Sequence, residues 1–69
     1  VWATHELVWA DAVRKNPSHG RAHMNLGVAR MARGAVPEAL TAFREAVRLS
    51  PLYDLAHLNL GIALAASGQ

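Results

Sequence analysis

The chain has 69 residues, of which 52% are hydrophobic and 17% are charged, and it contains no cysteine. It is long enough for one small domain at most, and disulfide scaffolds and thiolate metal sites are excluded. Seven basic residues against five acidic ones give a net charge of +2, which predicts no nucleic-acid partner. The apolar runs span only a few residues, far short of the roughly 20 that cross a bilayer, so no direct membrane insertion is predicted.

Two helices are predicted in the first half of the chain, over about residues 2–15 and 20–33. The first stops before Pro17, because a proline restricts the residue that precedes it. The second has the apolar spacing of a helix face and stops at Gly34, a residue type that tolerates the positive φ of a helix end.

Two more helices are predicted in the second half, over about residues 37–49 and 54–67. The third begins at Pro37, which suits a first helical turn, and stops before Pro51. The fourth stops at Gly68. Loops as short as these join helices that run antiparallel.

An internal repeat relates the two halves of the chain at an offset of 34 residues, and two residues related by this offset are called repeat-equivalent below. Segment 20–35 lies over segment 54–69, and the same offset carries Trp9 onto Phe43. A period of this length indicates a stacked helical repeat. Eight positions of the two segments are identical: Ala22, His23, Asn25, Leu26, Gly27, Ala29, Ala32 and Gly34 recur as Ala56, His57, Asn59, Leu60, Gly61, Ala63, Ala66 and Gly68.

When Gly20 is counted as the first position of a repeat, one leucine and several small, aromatic and proline residues stand at fixed positions. These residues are Leu26, Gly27, Ala39, Phe43, Ala46 and Pro51. These places match the pattern of the tetratricopeptide repeat, so the chain resembles that family. The resemblance implies an all-α fold, a right-handed α-solenoid of four helices in antiparallel hairpins. It divides the chain into the second helix of a preceding repeat (1–16), one complete repeat (20–53) and the first helix of a following repeat (54–69).

The resemblance also implies a concave groove, lined by the first helix of each repeat, that binds an extended peptide. The repeat-equivalent Asn25 and Asn59 are expected to bracket peptide units, because an amide both donates and accepts; alternatively, each hydrogen-bonds within or between neighbouring first helices. The apolar residues favour aliphatic peptide side chains. Arg21 alone does not make a carboxylate clamp. The predicted binding residues are Arg21, Met24, Asn25, Val28, Leu58, Asn59 and Ile62.

Self-association is an alternative to peptide binding. The last helix is apolar on nearly every side and carries no charge after Asp54, so it is expected to be covered by another helix. Residues 1–15 supply a second helix in the matching phase. The chain is therefore predicted to form a homo-oligomer, stacking head to tail into a continuous solenoid or filament, unless a longer parent protein supplies flanking repeats.

A further alternative is an accessory segment of a larger protein. The chain begins with Val1 rather than methionine, which indicates a processed product or an excerpt. Trp2, Trp9 and Asp11, followed by Asn16-Pro17, resemble the stretch where membrane glycosyltransferases pass from their last span into C-terminal tetratricopeptide repeats.

No catalytic, cofactor or metal site is predicted. His19 and His23 are four residues apart, but the carboxylates show no metal-ligand spacing with them, and packing is the expected role of His23. No nucleophile with an adjacent base, no carboxylate pair and no glycine-rich phosphate loop is visible. The chain is therefore not expected to be an enzyme.

Overall fold

The computed structural model describes the backbone of residues 2–68 and the side chains of residues 5–68. Within residues 2–68 the chain forms α-helices and no strand, which confirms the all-α prediction. Each predicted helix is confirmed to within one residue at either end. The helices are α1 (Trp2–Lys15), α2 (Gly20–Ala32), α3 (Val36–Leu49) and α4 (Asp54–Ala66).

Glycine ends α2 as the sequence predicts. Gly34 has a φ of +80°, and its N–H donates to the carbonyl oxygen of Met31 at 3.0 Å. The N–H of Ala35 donates to the carbonyl oxygen of Arg30 at 2.9 Å, which completes a Schellman motif. Gly68, with a φ of +82°, follows α4 in the same way.

The loops before α2 and α4 are closed by repeat-equivalent hydrogen bonds. The Nε2 atom of His23 lies 2.8 Å from the carbonyl oxygen of Pro17, and the Nε2 atom of His57 lies 2.6 Å from that of Pro51. Because a carbonyl only accepts, each imidazole donates from Nε2. Each histidine thereby connects the first turn of its helix to the preceding loop.

The helices pack in chain order. α1 packs on α2, α2 on α3 and α3 on α4, and α2 also contacts α4. In the part of the chain that the structure describes, α1 approaches neither α3 nor α4. The helices therefore form an open layer of 31 × 28 × 14 Å, as expected for a solenoid, and not a closed four-helix bundle.

The core lies between α2, α3 and α4 and is centred on Phe43, which is fully buried. Gly27 lets α2 approach this ring closely, since a Cβ atom added to Gly27 would lie only 2.6 Å from Phe43 Cδ1. The remaining core residues are small or aliphatic: Met24, Ala39, Leu40, Ala46, Ala56 and Ala63.

Within the described residues, no helix is both long and apolar enough to cross a membrane.

Candidate functional site

The first helices α2 and α4 contact each other, and their exposed side chains together are called the α2/α4 face below. Apolar side chains dominate its exposed part: Val28 is 43% exposed, Ile62 51% and Leu58 59%. Arg21, Asn25 and Val28 follow one another at spacings of about one turn, which places them on one stripe of α2. Three of the residues predicted to bind a peptide therefore share one stripe of α2, while Leu58 and Ile62 lie one turn apart on α4.

Met24 is the exception, and its predicted contact with a peptide side chain is wrong. Met24 is only 6% exposed and belongs to the core cluster around Phe43. Its sulfur lies 3.6 Å from Asn59 Nδ2, because α4 packs over this part of α2. Met24 therefore supports the α2/α4 face from beneath.

The two asparagines of the face differ in what they can offer. Asn59 Nδ2 donates to the carbonyl oxygen of Leu55 at 2.9 Å and approaches the Met24 sulfur, so only its Oδ1 atom faces no partner among the described residues. No hydrogen bond of the Asn25 side chain is formed within residues 5–68. Asn25 can therefore donate and accept, whereas Asn59 can accept only.

Asn25 also lines a cleft of about 120 Å³ between α1 and α2, called the α1/α2 cleft below. Trp9, which is repeat-equivalent to the buried Phe43, forms part of its wall and is only partly buried. The lining is free of Asp, Glu, Lys and Arg. It consists of His5, Trp9, Asn25, Val28, Ala29 and Ala32.

Most charges lie away from the α2/α4 face and are paired. Asp11 forms an ion pair with Lys15 at 3.0 Å, and the hydrogen bond from Lys15 holds the pKa of Asp11 below its usual value. Glu45 is paired with Arg48, whose hydrogen bond lowers the pKa of Glu45. Arg21 is exposed and forms no ion pair within residues 5–68, so it is the cation of the face.

An ion pair between α1 and α2 was missed by the sequence reasoning. Glu6 accepts hydrogen bonds from Arg33 (3.1 Å from NH2 to Oε2) and from Arg30 (3.4 Å), and the bond from Arg33 holds the pKa of Glu6 below its usual value. Arg30 also donates to the carbonyl oxygen of Glu38 at 3.1 Å. These bonds connect α1, α2 and the start of α3.

The repeat contains a signal for this pair. Glu6 is repeat-equivalent to Leu40, and Arg30 is repeat-equivalent to Leu64. Leu64 packs against the core cluster that contains Leu40. Where the next repeat has two apolar residues, Leu40 and Leu64, this repeat has two residues of opposite charge. This exchange indicates that the side chains at the two positions lie close together.

The described side chains bring together no group of three or more His, Asp or Glu residues that could hold a metal ion.

Comparison with known proteins identifies the repeat. A family model described as "Tetratricopeptide repeat" matches residues 6–54 and again residues 38–69. Searches of curated proteins and of solved structures gave no significant match. Repeats of this kind are typically non-catalytic and serve in protein–protein interaction. Because the two matches together cover nearly all of the chain, the chain belongs to the tetratricopeptide repeat family.

Proposed function

We propose that the α2/α4 face binds an extended peptide with aliphatic side chains. The observation that supports this proposal is the exposure of Val28 on α2 and of Leu58 and Ile62 on α4, two helices that contact each other and also carry Asn25 and Asn59. Covering exposed apolar surface is favourable by about 25 cal/mol per Å². A peptide whose apolar side chains rest on these three residues gains that energy.

The polar groups of the face suit a peptide backbone. Asn59 Oδ1 accepts from a peptide N–H, while Asn25 both accepts and donates. Arg21, one turn before Asn25, attracts an acidic group at one end of the peptide. Because backbone contacts carry no side-chain information, selectivity comes from the aliphatic contacts and from Arg21.

The test is a fluorescence-anisotropy titration with a pool of labelled synthetic peptides that carry aliphatic residues at alternate positions. Replacing Asn25 and Asn59 by Ala removes two hydrogen-bonding groups of about 0.5–1.5 kcal/mol each, so affinity is expected to fall by about fivefold to a hundredfold. Arg44→Ala, an exposed change on α3, is the control and keeps full affinity. Equal binding by the double variant, or no binding by the wild-type chain up to about 1 mM, contradicts the proposal.

Gly61 favours a second candidate function, head-to-tail stacking of chains, called the stacking candidate below. A Cβ atom added to Gly61 would meet nothing within 4 Å, whereas its repeat-equivalent Gly27 is covered by Phe43. Among the residues that the structure describes, no helix covers Gly61 as α3 covers Gly27. A second copy has such a helix in α1.

The role of an accessory segment in a larger protein, such as a membrane glycosyltransferase, stays a prediction. It depends on Trp2, whose side chain lies outside the described residues, and on Trp9 and Asp11 of α1. The length and sequence of the native gene product test it: membrane spans encoded before Val1 support the role, and a different preceding domain contradicts it.

A further inference from the structure

We propose that α4 of one chain docks into the α1/α2 cleft of a second copy, with Gly61 seated on Trp9 of that copy. This inference rests on the stacking candidate and supplies its contact surfaces and register. It does not require peptide binding.

The chain already contains an occupied example of the proposed contact. Gly27 of α2 lies against the ring of Phe43 in α3, so closely that an added Cβ atom would be 2.6 Å from Cδ1 and 2.9 Å from Cζ. Phe43 is fully buried there. In the complete hairpin of this chain, the two helices therefore pack together with an aromatic ring of the second helix against a glycine of the first.

The two halves of a second such contact are present but apart. Gly61 is repeat-equivalent to Gly27 and faces open space. Trp9 is repeat-equivalent to Phe43 and lines the α1/α2 cleft. Within one chain the two cannot meet, since α1 and α4 make no close approach in the described residues. They can meet when α1 of one copy packs on α4 of another copy, in the same way as α3 packs on α2 within one chain.

The contact between α2 and α4 indicates where the neighbours of Gly61 go. Asn59 of α4 lies against Met24 of α2. Shifted by one repeat, the same geometry sets Leu58 of the docked helix against Asn25 of the receiving copy. Leu58 is 59% exposed in the single chain, so docking removes one of its most exposed apolar side chains from water.

Apart from Asp54 at the first position of α4, neither surface brings a charged side chain into the contact. α4 carries no charge after Asp54, and no Asp, Glu, Lys or Arg lines the cleft. Beyond Asp54, no ion is therefore stripped of water without a partner, which is the usual cost of burying a charged surface. The partner chemistry that fits is an uncharged helix with a glycine at its centre, and α4 of a second copy is such a helix.

The docked pair would also extend the α2/α4 face. α4 of the first copy would lie beside α2 of the second, as α2 lies beside α4 within one chain. Asn25 and Val28 of the second copy line the cleft and would be covered by the docked helix, so the surface that runs through both chains would gain Arg21 but not these two side chains. Because the contact joins two different surfaces, it either closes a ring or propagates as a filament.

The test is sedimentation equilibrium of the 69-residue chain without peptide, from about 10 μM to about 1 mM. The wild-type chain is expected to form a concentration-dependent series of oligomers. Gly61→Ala places a methyl group where the ring of Trp9 must sit, and Trp9→Ala removes the ring, so each variant alone is expected to lose at least about tenfold in association constant. Circular dichroism checks that both stay helical.

The decisive sample is an equimolar mixture of the two variants. The Trp9→Ala chain keeps an intact α4, and the Gly61→Ala chain keeps an intact cleft, so the mixture is expected to form dimers and nothing larger. Leu52→Ala, which removes a 94% exposed side chain outside both surfaces, is the control and associates as the wild type does. A wild-type monomer at about 1 mM, full association of Gly61→Ala, or a mixture that stays monomeric overturns the inference.

Discussion

Gly27 and Gly61 occupy the same position of successive repeats in opposite surroundings. Gly27 is buried under Phe43, whereas open space surrounds Gly61. The same substitution at the two sites therefore separates the effect of close packing from the effect of helix propensity.

We expect Gly27→Ala to destabilise the chain by about 1–3 kcal/mol, because the new methyl group forces α2 and α3 apart. Gly61→Ala is expected to stabilise it by about 0.5–1 kcal/mol, since alanine is the better helix former and nothing obstructs it. Urea unfolding at low micromolar concentration measures both. Equal effects of the two substitutions would show that Phe43 moves aside readily.

The residue scale is also where sequence reasoning reached its limit. Gly34 was identified as the end of α2 because the requirement for positive φ is local. Met24 was assigned to the surface because repeat position alone does not show how far α4 covers α2. The donors of Asn59 and the partners of Glu6 depend on side chains far along the chain, which no local pattern contains.

At the scale of the helices, α1 differs from the others in how it is attached. α2 and α3 carry most of the buried residues, whereas α1 has no fully buried residue among positions 5–15 and packs on α2 alone. Much of its attachment is polar, through Glu6 to Arg33 and Arg30.

Acid is therefore expected to release α1 first. The pKa of Glu6 is lower in the folded chain than its usual value of 4.5, so the ionised carboxylate stabilises the fold above that value. This stabilisation is lost as the pH falls through the lower, folded pKa. The protection factors of α1 amides, which are corrected for the intrinsic pH dependence of hydrogen exchange, are expected to fall more between about pH 7 and about pH 3 than those of α3 amides.

Glu6→Gln is the variant that tests the cause. It is expected to lower the protection factors of α1 amides at neutral pH and to reduce the further loss of protection in acid. Glu45→Gln is the matched control, because Glu45 pairs with Arg48 inside α3, whose attachment depends on the buried Phe43. If both variants leave α1 exchange unchanged, the ion pair does not hold α1 to α2.

The helices themselves were predictable because their ends depend on a few local residues. Pro37 and Pro51 bracket α3, and Gly34 and Gly68 follow α2 and α4. Their order of packing followed from the repeat, because hairpins of one period stack on one another. The surface that each helix leaves exposed did not follow, since it depends on which neighbouring helices are present.

The whole molecule is a layer only 14 Å thick with two unlike ends. One end presents the α1/α2 cleft, and the other presents α4 with Leu58, Gly61 and Ile62 exposed. A layer of this size buries little surface for its length, so contacts made at its ends add appreciably to its stability.

We expect the melting temperature of the wild-type chain to rise with protein concentration, because docking stabilises the folded state by mass action. For a chain of this length, each kcal/mol gained corresponds to about 4–8 °C. Differential scanning calorimetry over a hundredfold range of about 10 μM to about 1 mM measures the effect. Gly61→Ala is expected to melt at one temperature throughout, and a wild-type chain that does the same would argue against docking.

The loops before α2 and α4 are alike, and this affects how a gene that encodes these repeats can become longer or shorter. Each loop is closed by a histidine that donates to a proline carbonyl, at repeat-equivalent positions. Recombination between the two coding stretches would delete or duplicate one complete unit and still leave every junction with its own histidine and proline. Gain or loss of whole units is therefore the mutation that this architecture tolerates most readily.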